Sequence, residues 1–391
     1  MADPTAAGPI GAGDRLRVFL VEPWFGGSHQ AWAEGLAATS GHEVHVLGLR
    51  DAFWRWRLRG GAVTLAEQAA VLAVEHGPPD VILASSMLDL PAFLGHARRI
   101  VGDAAVCVYL HETQPARSSL TGEPLDDDAA YRNWTSMAVA DHTFVNSAFH
   151  RDRLFDALPD LLDGAPDFRH SHLVERVRAR TTILPVGVDV AGLVEAERAD
   201  AEDGPPLVLW NHRWDHDKAP EVFFRALRRL DHDGVAFRLA LAGANVRSDP
   251  REFAAAEERF GDQLVHVGHL GRAEYLRLLV RSSVVASTAV HEFFGIAMVE
   301  AMAAGLVPIL PRSLSYPELV PAAFHEQVLY DSYGDLVRRL RTVLVDLDGA
   351  RAATAGLREA MYRFDWSQLA PQYDSALRAV AAGRVPDEVP L

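Results

Sequence analysis

Two glutamates, Glu292 and Glu300, are separated by seven residues in HEFFGIAMVEAMAAG, His291 to Gly305. Gly295 lies between them at a turn, and an Ala-rich helical run starts just after. A diphosphate resting on the amides of Phe294, Gly295 and Ile296 would sit between the two carboxylates, because helix N-terminal amides attract anions. One acid can then hold a sugar and the other a ribose. Glutamate pairs are often a solvated helix face, but the apolar context FFGIAM around Glu292 speaks against that here. A second cluster, WNHRWDHDKAPEVFF from Trp210 to Phe224, carries Arg213 and Lys218 where a strand runs into a helix. Fixed positive charge beside helix-end amides is what a diphosphate requires. His212 and His216 have the i, i+4 spacing of zinc ligands. Their segment lacks a Glu after the first His and starts in a turn, so no metal is expected.

Two further clusters carry polar residues at strand ends. PWFGGSHQAW, Pro23 to Trp32, brings Gly26 and Gly27, where the backbone must turn or approach a ligand, and Ser28 as a candidate N-cap. An ordinary βα turn would look the same, and the segment is not GxGxxG, so no dinucleotide cofactor is implied. LHETQPAR, Leu110 to Arg117, sets His111, Glu112 and Gln114 directly after an apolar strand. There His111 can bond a sugar hydroxyl or move a proton.

The elements that must position these clusters are legible as short apolar runs. They are Arg15–Glu22, Glu43–Leu49, Asp80–Ser86, Ala104–Glu112, His142–Ser147 and Thr181–Gly187, each followed by helical pattern. Strands apolar on both faces and alternating with helices imply a covered parallel sheet. AERADAEDGPP, residues 196–206, then interrupts as an acidic linker. The pattern restarts with PLVLWNH, FRLALAG, LVHVGH, SVVAST and LVPILP. The expected organisation is a tail over 1–13, a Rossmann-like domain over 14–195, the linker, a second Rossmann-like domain over 207–366, and a final helix over 367–391 returning to the first. Ligands of such sheets bind beyond the carboxyl ends of the strands, and all four clusters lie there.

Bulk properties agree with a soluble two-domain protein. The 391 residues are 49% hydrophobic and 23% charged, enough for two cores. No apolar stretch reaches a bilayer-spanning length and the start lacks a signal peptide, so a cytoplasmic location without membrane contact is expected. Cys107 is the lone cysteine, which rules out an intrachain disulfide. The net charge of -15 argues against broad nucleic-acid affinity while leaving room for a local basic patch.

Together, Glu292-x7-Glu300, Arg213 with Lys218, the Gly26-Gly27 loop and His111 resemble the retaining GT-B glycosyltransferases of family four, from about Arg15 to Gly383. Within that family, FGGSH, HET-Q, HRWDHDK-PE and the Thr288 segment T-A-x-HEFFG resemble the tRNA-queuosine α-mannosyltransferases. One departure is Thr113, where the family usually has Asn. The resemblance implies two Rossmann-like domains facing across a cleft. It implies a GDP-mannose donor, a queuosine-bearing tRNA acceptor, retention of anomeric configuration, no cofactor and no metal. Carried over, Arg213 and Lys218 neutralise the diphosphate, Glu292 binds mannose, Glu300 the ribose, and His111 lies near the reacting carbon. Gly27 and Ser28 let the first loop close over the phosphates.

A tRNA acceptor calls for basic and aromatic residues together, and LRDAFWRWRLRGG, Leu49 to Gly61, supplies them. Arg50, Arg55, Arg57 and Arg59 interleave there with Phe53, Trp54 and Trp56. The competing reading is an amphipathic helix packing Trp54 and Trp56 inward. Among whole-protein alternatives are a glycosyltransferase acting on a small molecule or lipid, a GT-B epimerase or phosphorylase, and a non-catalytic nucleotide-sugar binder. Charged residues intact at all four clusters disfavour the last.

Overall fold

A computed structural model describes residues 15–122, 124–195, 204–244 and 251–391. The expected tail and residues 196–203 of the expected linker lie outside them. The chain divides into two compact units. One runs up to Val188 and takes in Trp366–Leu391; the other is Asp189–Asp365.

The first unit is built on a six-stranded parallel sheet. Its strands are β1 (Arg17–Phe25), β2 (Glu43–Arg50), β3 (Val81–Ser85), β4 (Ala105–Leu110), β5 (His142–Val145) and β6 (Thr181–Ile183), in the order β2-β1-β3-β4-β5-β6. Val18 to Val21 of β1 are fully buried, as are Val81, Ile82 and Ala84 of β3, because helices cover both faces. The order reverses at β1: the chain steps one way to β2 and the other way to β3. That reversal opens a crevice at the strand ends.

The second unit repeats the plan with β7 (Leu207–Trp210), β8 (Arg238–Ala242), β9 (Leu264–Gly268), β10 (Val284–Ala286), β11 (Val307–Pro311) and β12 (Leu329–Tyr330). Their order is β12-β11-β10-β7-β8-β9, again all parallel. The reversal falls between β7 and β10. Trp210, Phe223, Phe224 and Phe253 pack as one buried aromatic cluster under the sheet.

The first unit ends at Val188 rather than Glu195 for a local reason. Asp365 accepts hydrogen bonds from the amides of Val190 (3.0 Å) and Ala191 (2.8 Å), and Arg358 donates to the Leu193 carbonyl at 2.6 Å. These bonds fix the helix Ala191–Glu195 within the second unit. Among the described residues no helix is long and apolar enough to cross a membrane. Cys107 is buried in β4, and burial pushes its thiol well above the ordinary range.

Candidate active site

In the second unit, β7 delivers Asn211, His212 and Arg213 at its carboxyl end, and β10 delivers His291 and Glu292. These two strands flank the reversal of strand order, so side chains far apart in sequence converge. Lys218 is the centre of the group, with its side chain only 8% exposed. Its Nζ donates to the His291 carbonyl at 2.7 Å and lies 3.4 Å from both Asp217 Oδ2 and Glu292 Oε2. Thr288 Oγ1 donates to the carbonyls of Lys218 and Ala219, pinning that turn. Arg213 stands outside the group, 54% exposed and 3.9 Å from Asp217. Burial alone would raise the Glu292 carboxyl, but Lys218, His212 and His291 outweigh it and hold it low. Asp217 is likewise held low against the cost of its burial, by the His291 bond and by Lys218 and Arg213. His212 is pushed down to about 3, by burial first and then by Lys218. It is therefore neutral at physiological pH.

His212 and His216 do not form the zinc pair their spacing allows. His212 is buried at the strand exit, His216 is exposed one turn later, and no helix carries both.

Glu300 lies in the helix Ile296–Ala303, whose N-cap Gly295 has φ 102°, a conformation costly for any other residue. Phe294 is buried against Phe364, at 5.4 Å between ring centroids, and its carbonyl accepts from Ser315. Glu300 is 6% exposed and ion-paired to Arg272. Burial raises its carboxyl, while Arg272 and Tyr275 oppose that rise. Tyr275 in turn accepts from Asn211 Nδ2 at 3.0 Å. A hydroxyl-bearing ligand would find a carboxylate, a phenol and a guanidinium in this group.

In the first unit the reversal at β1 is occupied by Glu22, which is completely buried. Its carboxylate accepts from the Trp24 amide and from Ser85 Oγ, both at 2.9 Å, and meets His29 Nδ1 at 2.9 Å. His111, at the end of β4, packs tilted against His29 with ring centroids 4.2 Å apart and lies edge-on to Trp32. Its Nε2 is buried without a hydrogen-bond partner, 3.9 Å from Glu22 Oε2. Burial, then His29 and His150, holds the ring well below the ordinary histidine range. Glu22, His29 and His111 also form one of two groups among the described residues whose ligand atoms lie close enough to hold a metal ion; the other is Glu43, His45 and His76.

The structure corrects the expected cap of this loop. The helix Gly27–Thr39 is capped by Gly26 in an extended conformation, and Ser28 lies inside the first turn. A Cβ on Gly26 would sit 2.2 Å from the Asp51 carboxyl, so close approach explains that glycine.

The Arg/Trp segment also departs from its inward-packing reading. It enters the helix Trp54–His76 through Phe53, which has φ 56°. Phe53 and Trp56 are 72% and 64% exposed, Trp54 is half-buried, and Leu58 supplies the buried face. Arg55 lies over the Trp54 ring at 4.7 Å. Two of the arginines have acidic neighbours, Arg55 with Asp126 at 3.5 Å and Arg59 with Asp128 at 3.1 Å. Arg57 donates to the Arg50 carbonyl. Glu112 and Gln114 follow β4 on the same unit, with Gln114 opening the helix Gln114–Thr121.

Sequence reasoning missed Glu22, His29, Asp217, Asn211, Arg272 and Tyr275. Glu22 had a visible signal: a carboxylate closing an otherwise apolar strand must have partners. Arg272 and Tyr275 had none, since they reach Glu300 only through the fold.

Known proteins share this fold. Sucrose-phosphate synthase from Thermosynechococcus elongatus matches with a TM-score of 0.71 at 19% identity, over 94% of this chain and all of that one. The catalytic domain of starch synthase IV from Arabidopsis thaliana matches with a TM-score of 0.72 at 13% identity, over the same shares. Residues 195–355 match the family described as glycosyl transferases group 1. Fold and site thus define a glycosyltransferase of the GT-B class. Residues 17–188 match the family described as tRNA-queuosine alpha-mannosyltransferase N-terminal. The Drosophila melanogaster tRNA-queuosine alpha-mannosyltransferase is 32% identical over 334 residues, 83% of this chain and 85% of that protein. The chain belongs to the tRNA-queuosine alpha-mannosyltransferase family. A second relative, the GDP-mannose:cellobiosyl-diphosphopolyprenol alpha-mannosyltransferase of Komagataeibacter xylinus, is 29% identical over about half of each chain.

Proposed function

We propose that this protein transfers mannose from GDP-mannose to a hydroxyl of the queuosine base of a tRNA, with retention at the anomeric carbon. The observation that carries the donor half is the buried Lys218 beside Glu292 at the reversal between β7 and β10, with exposed Arg213 flanking Asp217. In the reaction the bond from the anomeric carbon to the diphosphate oxygen breaks. A bond to the acceptor oxygen forms on the same face, and the acceptor proton leaves to the departing diphosphate. Arg213 and Lys218 stabilise the charge that grows on the leaving group, and the amides of Phe294, Gly295 and Ile296 join them. Glu292 holds mannose hydroxyls and Glu300 the ribose, released from Arg272. His111, neutral and buried, bonds the sugar near its reacting carbon. Gly26, Gly27 and Ser28 shape the loop over the phosphates. In this reading no metal takes part. The GDP-mannose assignment is supported by the Komagataeibacter relative's name, and the tRNA assignment by that of the Drosophila relative.

On the acceptor side Glu112 and Gln114 contact the modified base, while Arg50, Arg55, Trp56 and Arg57 hold the anticodon arm. In this reading the protein works in the cytoplasm. The test is mass spectrometry of tRNA nucleosides after incubation with GDP-mannose. Queuosine should gain one hexose. Unmodified queuosine, with the donor consumed on a small molecule instead, would overturn the tRNA assignment.

A further inference from the structure

The buried carboxylate of Glu22 on β1 lacks a fixed counter-charge. Its two oxygens have different tasks. Oε1 accepts from the Trp24 amide and from Ser85 Oγ, both at 2.9 Å, which fixes the orientation of the carboxylate. Oε2 faces two imidazoles, His29 Nδ1 at 2.9 Å and His111 Nε2 at 3.9 Å. Among the described residues these two rings are its only ion-pairing neighbours, so neither lysine nor arginine balances the buried charge. The His111 side chain is 10% exposed, and its Nε2 is buried with no hydrogen-bond partner. The Trp32 and Tyr109 rings flank it at 4.7 and 4.8 Å between centroids and hold the ring in place. His29, in the first turn of the helix Gly27–Thr39, is partly exposed, so the group is reached from solvent on that side. The three ligand atoms lie within 4.8 Å of one another. Zinc bonds of about 2.0–2.2 Å set neighbouring ligand atoms of a tetrahedral site roughly 3.3–3.5 Å apart. The separations of 2.9 and 3.9 Å bracket that range, so shifts of about half an ångström suffice.

We propose that Glu22, His29 and His111 form a binding site for a divalent transition metal, Zn²⁺ above all, and that its occupancy inhibits the enzyme. Two imidazoles and one carboxylate are a zinc ligand set that leaves a fourth position open, and they suit zinc better than magnesium or calcium. The metal takes the place of the proton between His29 Nδ1 and Glu22 Oε2, and that proton leaves to solvent. It also pairs the His111 Nε2 and supplies the missing positive charge. The inhibition rests on the function proposed above, in which His111 bonds the sugar: a ring drawn onto a metal is no longer placed to do so. Zinc is thus no participant in the transfer, and removing it costs no activity. The group Glu43, His45 and His76 is a poorer site, because Arg17 lies 3.6 Å from Glu43 and already supplies a cation.

The experiment titrates Zn²⁺ calorimetrically into wild type, His29→Ala and His45→Ala. Wild type and His45→Ala should each bind one tight zinc with equal affinity. His29→Ala should bind it at least about 100-fold more weakly, the upper limit for losing even an outer-shell partner. In wild type, Zn²⁺ should also shield His29 from diethyl pyrocarbonate, a measurement that stands even where His29→Ala does not fold. Saturating Zn²⁺ should abolish hexose transfer to queuosine tRNA in wild type and His45→Ala alike, and EDTA should restore it. The site is overturned by a wild type without tight zinc, by full affinity in folded His29→Ala, or by His29 left reactive. An unchanged rate with zinc bound overturns the inhibition. A wild type that transfers no hexose in the absence of zinc overturns the function, and the calorimetry still decides the metal site.

Discussion

Arg213 and Lys218 carry the same charge but differ in what their loss does. Arg213 is more than half exposed, so Arg213→Ala removes charge from the leaving group without opening a cavity. Turnover should fall by at least ~30-fold, about 2 kcal/mol of transition-state stabilisation, while the thermal midpoint stays within a degree or two of wild type. EDTA should leave the wild-type rate unchanged; loss of activity on chelation would instead direct attention to Glu22, His29 and His111. Lys218→Ala is different, because it strands the buried Asp217 and the mostly buried Glu292 beside each other. It should lose stability as well as rate, by about 3–5 kcal/mol, the range for breaking a buried pair. Buried histidines set the pH response. His212 is pushed down to about 3 and His142, also by burial, to about 4, from an ordinary value near 6.5. Between those limits the unfolded chain binds protons that the folded chain refuses, so stability must fall as pH falls. From pH 7 to 5 each contributes a loss of about 2 kcal/mol. Glu300, raised by burial, works in the opposite direction near its own lower range. Chemical denaturation at the two pH values checks the slope, and a flat profile would mean these rings are hydrated in solution.

The helix Trp54–His76 shows how an element can present recognition residues that its own sequence leaves ambiguous. Alternating Arg and Trp fit an RNA-facing surface or an amphipathic helix with Trp inside. Phe53, with positive φ, decides the matter by rotating the helix entry, which leaves Trp56 outward and Leu58 inward. That backbone twist has no signature in composition, whereas the six strands of the first sheet did. Runs such as Val18–Val21 and Val81–Ala84 are apolar on both faces because helices cover both, and such runs are conspicuous. Strand β12 has two residues and no run to read. The Ser28 cap failed for a related reason, since Gly26 takes the extended cap position and so moves the helix start ahead of the serine. Glu292, Arg213 and Lys218 were legible because their types are unusual beside apolar strand ends. Arg272, which pairs with Glu300 from the helix Arg272–Arg281, was not. Replacing Arg55 and Arg57 by Ala should raise the KM for tRNA several-fold and reduce the salt dependence of tRNA binding by about one to two counterions. Asp126 and Asp128 partly neutralise the segment, which keeps that number small. Unchanged affinity across a salt titration would place the tRNA elsewhere.

At the scale of the whole molecule, the first unit is not one continuous piece of chain. It is completed by Trp366–Leu391, which arrives after the entire second unit. The helix Trp366–Ala381 is held by buried aromatics rather than by surface charge. Trp32 Nε1 donates to Tyr373 Oη at 3.1 Å, and Tyr373 donates to the Pro185 carbonyl at 2.8 Å. Tyr109, beside them, donates to the Leu184 carbonyl. Trp366 is seated between two glycines: a Cβ on Gly35 would lie 2.0 Å from its indole nitrogen, and one on Gly187 would lie 2.4 Å from its ring. Neither glycine has a positive φ, so both are required by contact and not by backbone conformation. Gly35→Ala improves helix propensity within Gly27–Thr39 by up to about 1 kcal/mol, which taken alone predicts a more stable protein. The steric term has the opposite sign and is larger, because Trp366 is 5% exposed and has no room to retreat. Overpacking of this kind costs about 1–3 kcal/mol, and expulsion of the indole would cost the upper end or more. The net expectation is a lower thermal midpoint for Gly35→Ala, with the loss confined to the first unit. Hydrogen exchange should quicken along β1, β4 and the helix Gly27–Thr39 while β7 and β10 keep wild-type protection. A stabilised Gly35→Ala protein would show that the Trp366 ring is not seated there in solution, and that the returning segment is held by its other contacts, among them Trp32 with Tyr373 and the Ser40 hydroxyl and Gly41 amide on Asp374.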